Sequence, residues 1–228
     1  ALKKMAPESR MDQIPRRIGL LFKIGIGQEK LVGRSRERMP GIMHALIFWG
    51  AMLIGIREVT LMGEGFVHGF QEYLPLLGSN YLSGFLFIYL YNIAELVVLL
   101  MILVALYRRF VPRPDRLDLK WEGVYVLLFI AGIMLTDLLF DAARFNLIDE
   151  WQYSLHQFEH PVYGQERSWA PVASALAVLL VGLGETSNSF FYHFGFWGHI
   201  ATMLVFVNIL INTKQFHEIT ALPNVFLG

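Results

Sequence analysis

The sequence contains no cysteine, so we expect no iron–sulfur cluster, thiolate-ligated haem or disulfide within this chain. Charged residues make up only 17% of the 228 residues, compared with ~25% in typical soluble domains. The formal net charge is zero, which gives no support for nucleic acid as a partner. Hydrophobic residues, in contrast, reach 55%, and this composition predicts an integral membrane protein with lipid around it.

Four apolar stretches without proline have about the length needed to cross a bilayer, which takes ~20 residues. They are 41–62, 82–107, 122–140 and 196–217. A fifth stretch, 170–186, is either a further span or a segment that only dips into the outer interface, and its apolar core of about 14 residues favours the dip. The fold class is therefore predicted to be all-α, an integral membrane helical bundle with about four transmembrane helices plus interfacial helices.

Lysine and arginine are concentrated in residues 1–39, in residues 108–120 and near Lys214. Because basic loops stay on the cytoplasmic side, four spans would place both ends of the chain in the cytoplasm. Residues 1–39 alternate basic and apolar residues and are too interrupted to span, so they are predicted to form a cytoplasmic basic amphipathic segment.

His199 and His217 lie 18 residues apart in the last predicted span. Five turns of 3.6 residues place both imidazoles on one helix face, roughly 27 Å apart along the axis, which is close to the thickness of a bilayer core. Two such histidines facing a bundle interior suit two haems at different depths. The alternative is one membrane helix with two unrelated histidines.

His44 lies near the cytoplasmic end of the first predicted span, and His217 lies at the cytoplasmic end of the last. In the four-span topology these two helices are antiparallel, so the two imidazoles fall at the same depth. We therefore expect His44 and His217 to ligate one haem b from opposite sides. Two interfacial histidines beside lipid headgroups are the alternative.

An outer haem at the level of His199 needs a second ligand. The corresponding position on the first span, about ten residues after His44, is occupied by Ile54. His68 is the nearest candidate in the sequence, if the chain turns back at Gly63 and Gly65. The competing hypothesis is a single haem, with His199 hydrogen-bonded directly to a quinone.

Quinone chemistry also requires groups that exchange protons, and Arg57 and Glu95 are the candidates within the predicted spans. A carboxyl group inside a span is costly unless it is paired or used, so Glu95 is predicted either to act at the quinone site or to pair with a neighbouring helix. Further ionisable groups predicted near the same level are Glu64, His68, Asp137 and His193.

The stretches PGIMHALIFWG and FWGHIATMLVFVNILINTKQFHEITALPN, with a basic loop after the second span, resemble the membrane cytochrome b of respiratory nitrate reductase gamma subunits. They resemble more closely the membrane region of heterodisulfide reductase-related iron–sulfur oxidoreductases of the electron-transfer flavoprotein:menaquinone oxidoreductase type. The resemblance implies that residues 40–228 are a haem-binding transmembrane domain and a fragment of a longer chain, multi-pass in the inner (cytoplasmic) membrane of a prokaryote.

The resemblance also implies one or two b haems, menaquinone as a substrate, and a cytoplasmic [4Fe–4S] domain and electron-transfer flavoprotein as partners. His44, His199 and His217 match ligand positions of the gamma-subunit family, whereas Ile54 occupies the fourth. Two other functions are open at this stage, a non-haem membrane anchor subunit and a transporter. The sequence shows no inverted repeat of the kind that many transporters contain.

Overall fold

The computed structural model describes residues 12–33, 38–67, 70–78, 81–112, 121–154, 163–212 and 216–227. Within these ranges every regular element is helical. The α-helices, in chain order from α1 to α9, are Ile14–Leu20, Glu29–Val32, Arg38–Phe66, Leu82–Phe110, Trp121–Ser154, Tyr163–Trp169, Pro171–Val181, Gly184–Asn212 and His217–Leu227. A π-helical segment, Leu21–Ile26, follows α1, and a 3-10 segment, Phe70–Tyr73, follows α3.

Among the described residues, four helices are long and apolar enough to cross a membrane, which confirms the predicted all-α bundle and suits a multi-pass membrane protein. Their candidate spans are Arg38–Gly63, Leu82–Phe110, Trp121–Leu147 and Gly184–Asn212. The second begins at its predicted residue and ends three residues later than predicted, and the other three differ from theirs at both ends.

The prediction that the first helix ends at Gly63 and Gly65 is wrong, because α3 continues through both glycines to Phe66. Gly63 serves close packing instead, since a Cβ atom at that position would overlap the ring of Phe70 in the 3-10 segment. The glycine therefore allows the next segment to lie directly against the end of α3.

The third and last spans extend beyond the apolar stretches that predicted them. The third span continues to Leu147 and so includes the polar residues Asp141, Arg144 and Asn146, each of which has a hydrogen-bonding partner in the structure. Helix α8 begins at Gly184, 12 residues before the predicted start, and ends at Asn212. His199 therefore lies in the middle of this helix.

His217 is the first residue of α9 and is not part of α8. Residues 213–215, between the two helices, lie outside the described residues. The prediction that His199 and His217 share one uninterrupted helix is therefore not met by the described helices.

Helix α7 covers most of the stretch for which the sequence left two interpretations. Its 11 residues span roughly 16 Å, too short to cross a bilayer core. The helix packs against α4 and α5, where Ala173, Ala177 and the preceding residue Ala170 have completely buried side chains. Such small residues let helix backbones approach closely.

The chain divides into two compact units. The smaller comprises residues 1–45 and 207–228; in it Nη1 of Arg17 donates a hydrogen bond to the carbonyl of Phe226 at 3.0 Å. The larger comprises residues 46–206 and holds the apolar cluster formed by α4, α5 and α7. In the larger unit Gly195 of α8 faces the backbone of Phe140 in α5, where a Cβ would lie 2.8 Å from the amide nitrogen.

Candidate functional site: a buried polar centre

The larger unit contains a set of polar and ionisable side chains that interact inside an otherwise apolar bundle. We call this set the polar centre; its members are Arg57, Glu58, Tyr91, Asn92, Glu95, Asp137, Asp141, Arg144, Glu166 and His199. All are more than nine-tenths buried except Arg144 and Glu166, whose side chains are 19% and 14% exposed. Buried charged groups are costly unless they are paired, so the partner of each one decides its role.

Arg57 of α3 forms four short hydrogen bonds within the polar centre. Its Nε and Nη2 atoms donate to the two carboxylate oxygens of Asp137 at 2.6 and 2.9 Å. Nη2 also donates to Asp141 at 2.8 Å, and Nη1 donates to the hydroxyl of Tyr91 at 2.7 Å. The fork of the guanidinium group matches a carboxylate in this two-point geometry, so Arg57 joins α3 to α4 and α5.

Arg144 lies at the more exposed edge of the polar centre. Its Nη2 donates to Asp141 at 3.1 Å and to Glu166 of α6 at 2.9 Å. Asp137, Asp141 and Arg144 follow one another at spacings of four and three residues along α5, which places them on one helix face. That spacing is visible in the sequence, although only Asp137 was predicted to be an ionisable group of the site.

Glu95 is completely buried in α4, one turn after Asn92. Its Oε2 accepts a hydrogen bond from the Asn92 side-chain amide at 3.1 Å. Its Oε1 is buried with no hydrogen-bond donor among the described residues. The carboxyl group of Asp137 is its neighbour, within hydrogen-bonding reach.

Asn92 also caps the start of α7. Its Oδ1 accepts hydrogen bonds from the backbone N–H groups of Val172 at 2.8 Å and Ala173 at 3.3 Å. Pro171 has no N–H, and the N–H of Ser174 donates to the carbonyl of Ala170 at 2.9 Å. The open N–H groups of this helix end are thus satisfied inside the bundle by a side chain from another helix.

His199 uses both ring nitrogens. Nε2 lies 2.7 Å from Oε1 of Glu58, and Nδ1 lies 3.2 Å from the carbonyl of Ile133 and 3.3 Å from Oγ1 of Thr136. A carbonyl only accepts hydrogen bonds, so Nδ1 carries a hydrogen. Nε2, the nitrogen that would bind iron, faces the Glu58 carboxyl group, so His199 as arranged here does not fit as a haem ligand.

His44 and His217 both belong to the smaller unit, and both are exposed. Their imidazoles are close enough to interact electrostatically. Two accessible imidazoles near each other are a donor set that fits bis-histidine haem. The fourth candidate ligand, His68, lies outside the described residues.

The candidate residues therefore separate into two groups. Arg57, Glu95 and His199 belong to the polar centre, where Arg57 and Glu95 lie beside Asp137. His44 and His217 belong to the smaller unit. Tyr91, Asp141, Arg144 and Glu166 have partners on other helices, so their roles were not predicted from the sequence. Across the described part of the chain, no group of three or more histidine, aspartate or glutamate side chains has the arrangement that would hold a metal ion.

Comparison with known proteins gives a distant relative. The probable iron-sulfur-binding oxidoreductase FadF of Bacillus subtilis (strain 168) is 28% identical to this chain over 227 residues. The match covers 99% of this chain but 29% of that protein, so the chain spans less than a third of the relative's length. No family model matches the sequence. No solved structure matches it either.

Proposed function

We propose that this chain is the membrane cytochrome b module of a quinone-linked oxidoreductase. It transfers electrons between a cytoplasmic iron–sulfur or flavoprotein partner and the menaquinone pool. The observation that carries the proposal is the pairing of His44 and His217 in one unit, since two accessible histidines close together on a membrane protein are what a low-spin haem requires.

In this proposal His44 and His217 supply the two axial nitrogens of one haem b. Haem with two imidazole ligands exchanges single electrons and has no open coordination site for oxygen. The two residues come from opposite ends of the sequence, one from α3 and one from α9, so the site forms only when the smaller unit folds.

The partner proposal is supported by the relative. FadF is named an iron-sulfur-binding oxidoreductase and is more than three times as long as the matching region. The present chain has no cysteine, so cluster binding would belong to another part of the protein or to another subunit. We propose a cytoplasmic [4Fe–4S] domain with electron-transfer flavoprotein as the donor or acceptor.

The quinone and proton functions are proposed for the polar centre. Conversion between a quinone and its quinol exchanges two electrons and two protons, so the site needs groups that hold protons away from bulk water. Arg57 would fix a negative or polar headgroup, and Glu95 would exchange a proton. The His199–Glu58 pair favours a single haem over an outer haem with His68 as a second ligand. Because both ring nitrogens of His199 are engaged, a direct hydrogen bond from His199 to the quinone would require its release from Glu58.

The test is a reduced-minus-oxidised spectrum combined with haem quantification per chain. We expect one haem b equivalent in the parent protein and none in His44→Ala or His217→Ala. His193→Ala is the matched control, because His193 is an exposed histidine of α8 in the larger unit. Full haem content in both ligand variants would overturn the assignment, and a colourless protein made with adequate haem supply would favour a non-haem anchor or a transporter.

A further inference from the structure

Glu95 has the one carboxyl group of the polar centre that forms no ion pair with the described residues. Its side chain has no exposed surface, and its Oε1 atom has no hydrogen-bond donor among the described residues. The group beside it is the carboxyl of Asp137, which already accepts two hydrogen bonds from Arg57. Two ionised carboxylates cannot hydrogen-bond each other, whereas a carboxylic acid donates to a carboxylate.

The charged groups near Glu95 already have more negative than positive charges without it. Two guanidinium groups, those of Arg57 and Arg144, face three carboxyl groups, those of Asp137, Asp141 and Glu166. This part of the polar centre therefore carries an excess of one negative charge when all five groups are ionised. The His199–Glu58 pair supplies no net positive charge while Glu58 is ionised, because a protonated histidine only balances that carboxylate.

An ionised Glu95 would add a second uncompensated negative charge in a completely buried position. The remaining positive influence is the N-terminus of α7, which reaches Glu95 only through the side chain of Asn92. A helix terminus is equivalent to about half an elementary charge, so it does not neutralise a buried carboxylate. The Asn92 amide donates more strongly to an ionised than to a neutral carboxyl oxygen, but one such hydrogen bond does not offset the burial of an uncompensated charge.

We propose that Glu95 is a proton-binding site that holds one proton at neutral pH and donates it in a hydrogen bond to Asp137. Arg57 of α3, Asp141 of α5 and His199 of α8 are the other charged or titratable groups near the pair, and Arg57 keeps Asp137 ionised as the acceptor. The proposed ligand is a proton; among the described residues no group of three histidine, aspartate or glutamate side chains is arranged to hold a metal ion. The idea that a quinone uses this proton rests on the proposed function, whereas the protonation of Glu95 is independent of it.

Infrared spectroscopy of the oxidised protein in an ester-free detergent tests the proposal. A protonated carboxyl group gives a C=O stretch that ionised carboxylates lack. We expect such a band in the parent protein, a shift of the band after deuterium exchange, and loss of the band in Glu95→Gln. Glu122→Gln, at the exposed start of α5, should retain it.

Isotope labelling of the parent protein and of Glu58→Gln keeps the test decisive if Glu95→Gln does not fold, because Glu58 is also a buried glutamate and the band must persist without it. Labelling with 13C-glutamate should move the band to lower frequency, and labelling with 13C-aspartate should leave it unchanged. A band that moves only with aspartate, that survives in a folded Glu95→Gln protein, or that is absent from the parent would overturn the proposal. The measurement needs no haem, so a colourless protein with the glutamate band would reject the proposed function and leave the proton site standing.

Discussion

Nε2 of His199 lies 2.7 Å from Oε1 of Glu58, and both side chains are more than nine-tenths buried. The contact joins α8 to α3 across 141 residues of sequence. Because the opposite nitrogen faces a backbone carbonyl, the imidazole is held from both sides. A histidine sequestered in this way orients a carboxyl group and can pass a proton to it, which is a different role from that of an axial haem ligand.

Replacement of His199 by Ala should therefore destabilise the protein without removing haem. Loss of one partner leaves the Glu58 carboxyl buried and unpaired, and such a loss costs about 3–5 kcal/mol. The double variant His199→Leu with Glu58→Leu should be less destabilised than the single variant, because no charge is left uncompensated. Unfolding in detergent with haem quantification checks both expectations. Loss of one haem equivalent in His199→Ala would instead support the hypothesis of an outer haem ligated by His199.

Arg57→Lys should be strongly destabilising although it keeps the charge. An ammonium group cannot form the two-point contact with Asp137 while also reaching Asp141 and Tyr91. We expect a loss of about 2–4 kcal/mol, since hydrogen bonds to charged groups contribute about 1.5–3 kcal/mol each and Lys retains part of them. The control is Arg38→Lys at an exposed position, where the same change should leave the unfolding midpoint unaltered.

Asn92→Ala should loosen the start of α7. The variant removes the acceptor for the N–H groups of Val172 and Ala173, and loss of a helix cap costs about 1 kcal/mol. Hydrogen exchange should accelerate at those two amides while the middle of α4 stays protected. Asn212→Ala is the control, because among the described residues that exposed side chain bonds to the carbonyl of Asn208 in its own helix. Unchanged protection in the first turn of α7 would show that the cap is dispensable.

Gly195→Ala should separate α8 from α5. The added Cβ would meet the backbone of Phe140 at 2.8 Å, and a backbone cannot rotate away as a side chain does. Overpacking of this kind costs about 1–3 kcal/mol. Gly55→Ala in α3 provides the comparison, because nothing lies within 4 Å of its Cβ position, and there Ala should stabilise the helix by up to about 1 kcal/mol. Equal effects of the two substitutions on the unfolding midpoint would contradict the close approach.

Composition and apolar runs are sufficient to predict the class of the protein and the approximate positions of its long helices. Apolar runs reveal membrane helices because the requirement is local: about 20 residues must avoid water together. The second span was predicted almost to the residue for this reason. The spacing of Asp137, Asp141 and Arg144 was also readable from helical periodicity, although only Asp137 was identified from it.

The roles of the polar residues depend on how the helices pack, because their partners lie on other helices. The third span extends to Leu147 because α3 and α6 supply partners for Asp141 and Arg144. A hydropathy profile scores these residues as polar and contains no information about their partners. The bonds from Arg57 to Asp137 and Asp141 cross 80 and 84 residues of sequence. Helix periodicity tells which face a residue occupies but not which helix it meets, so the polar centre, the cap on α7 and the partner of His199 emerge only when the helices pack.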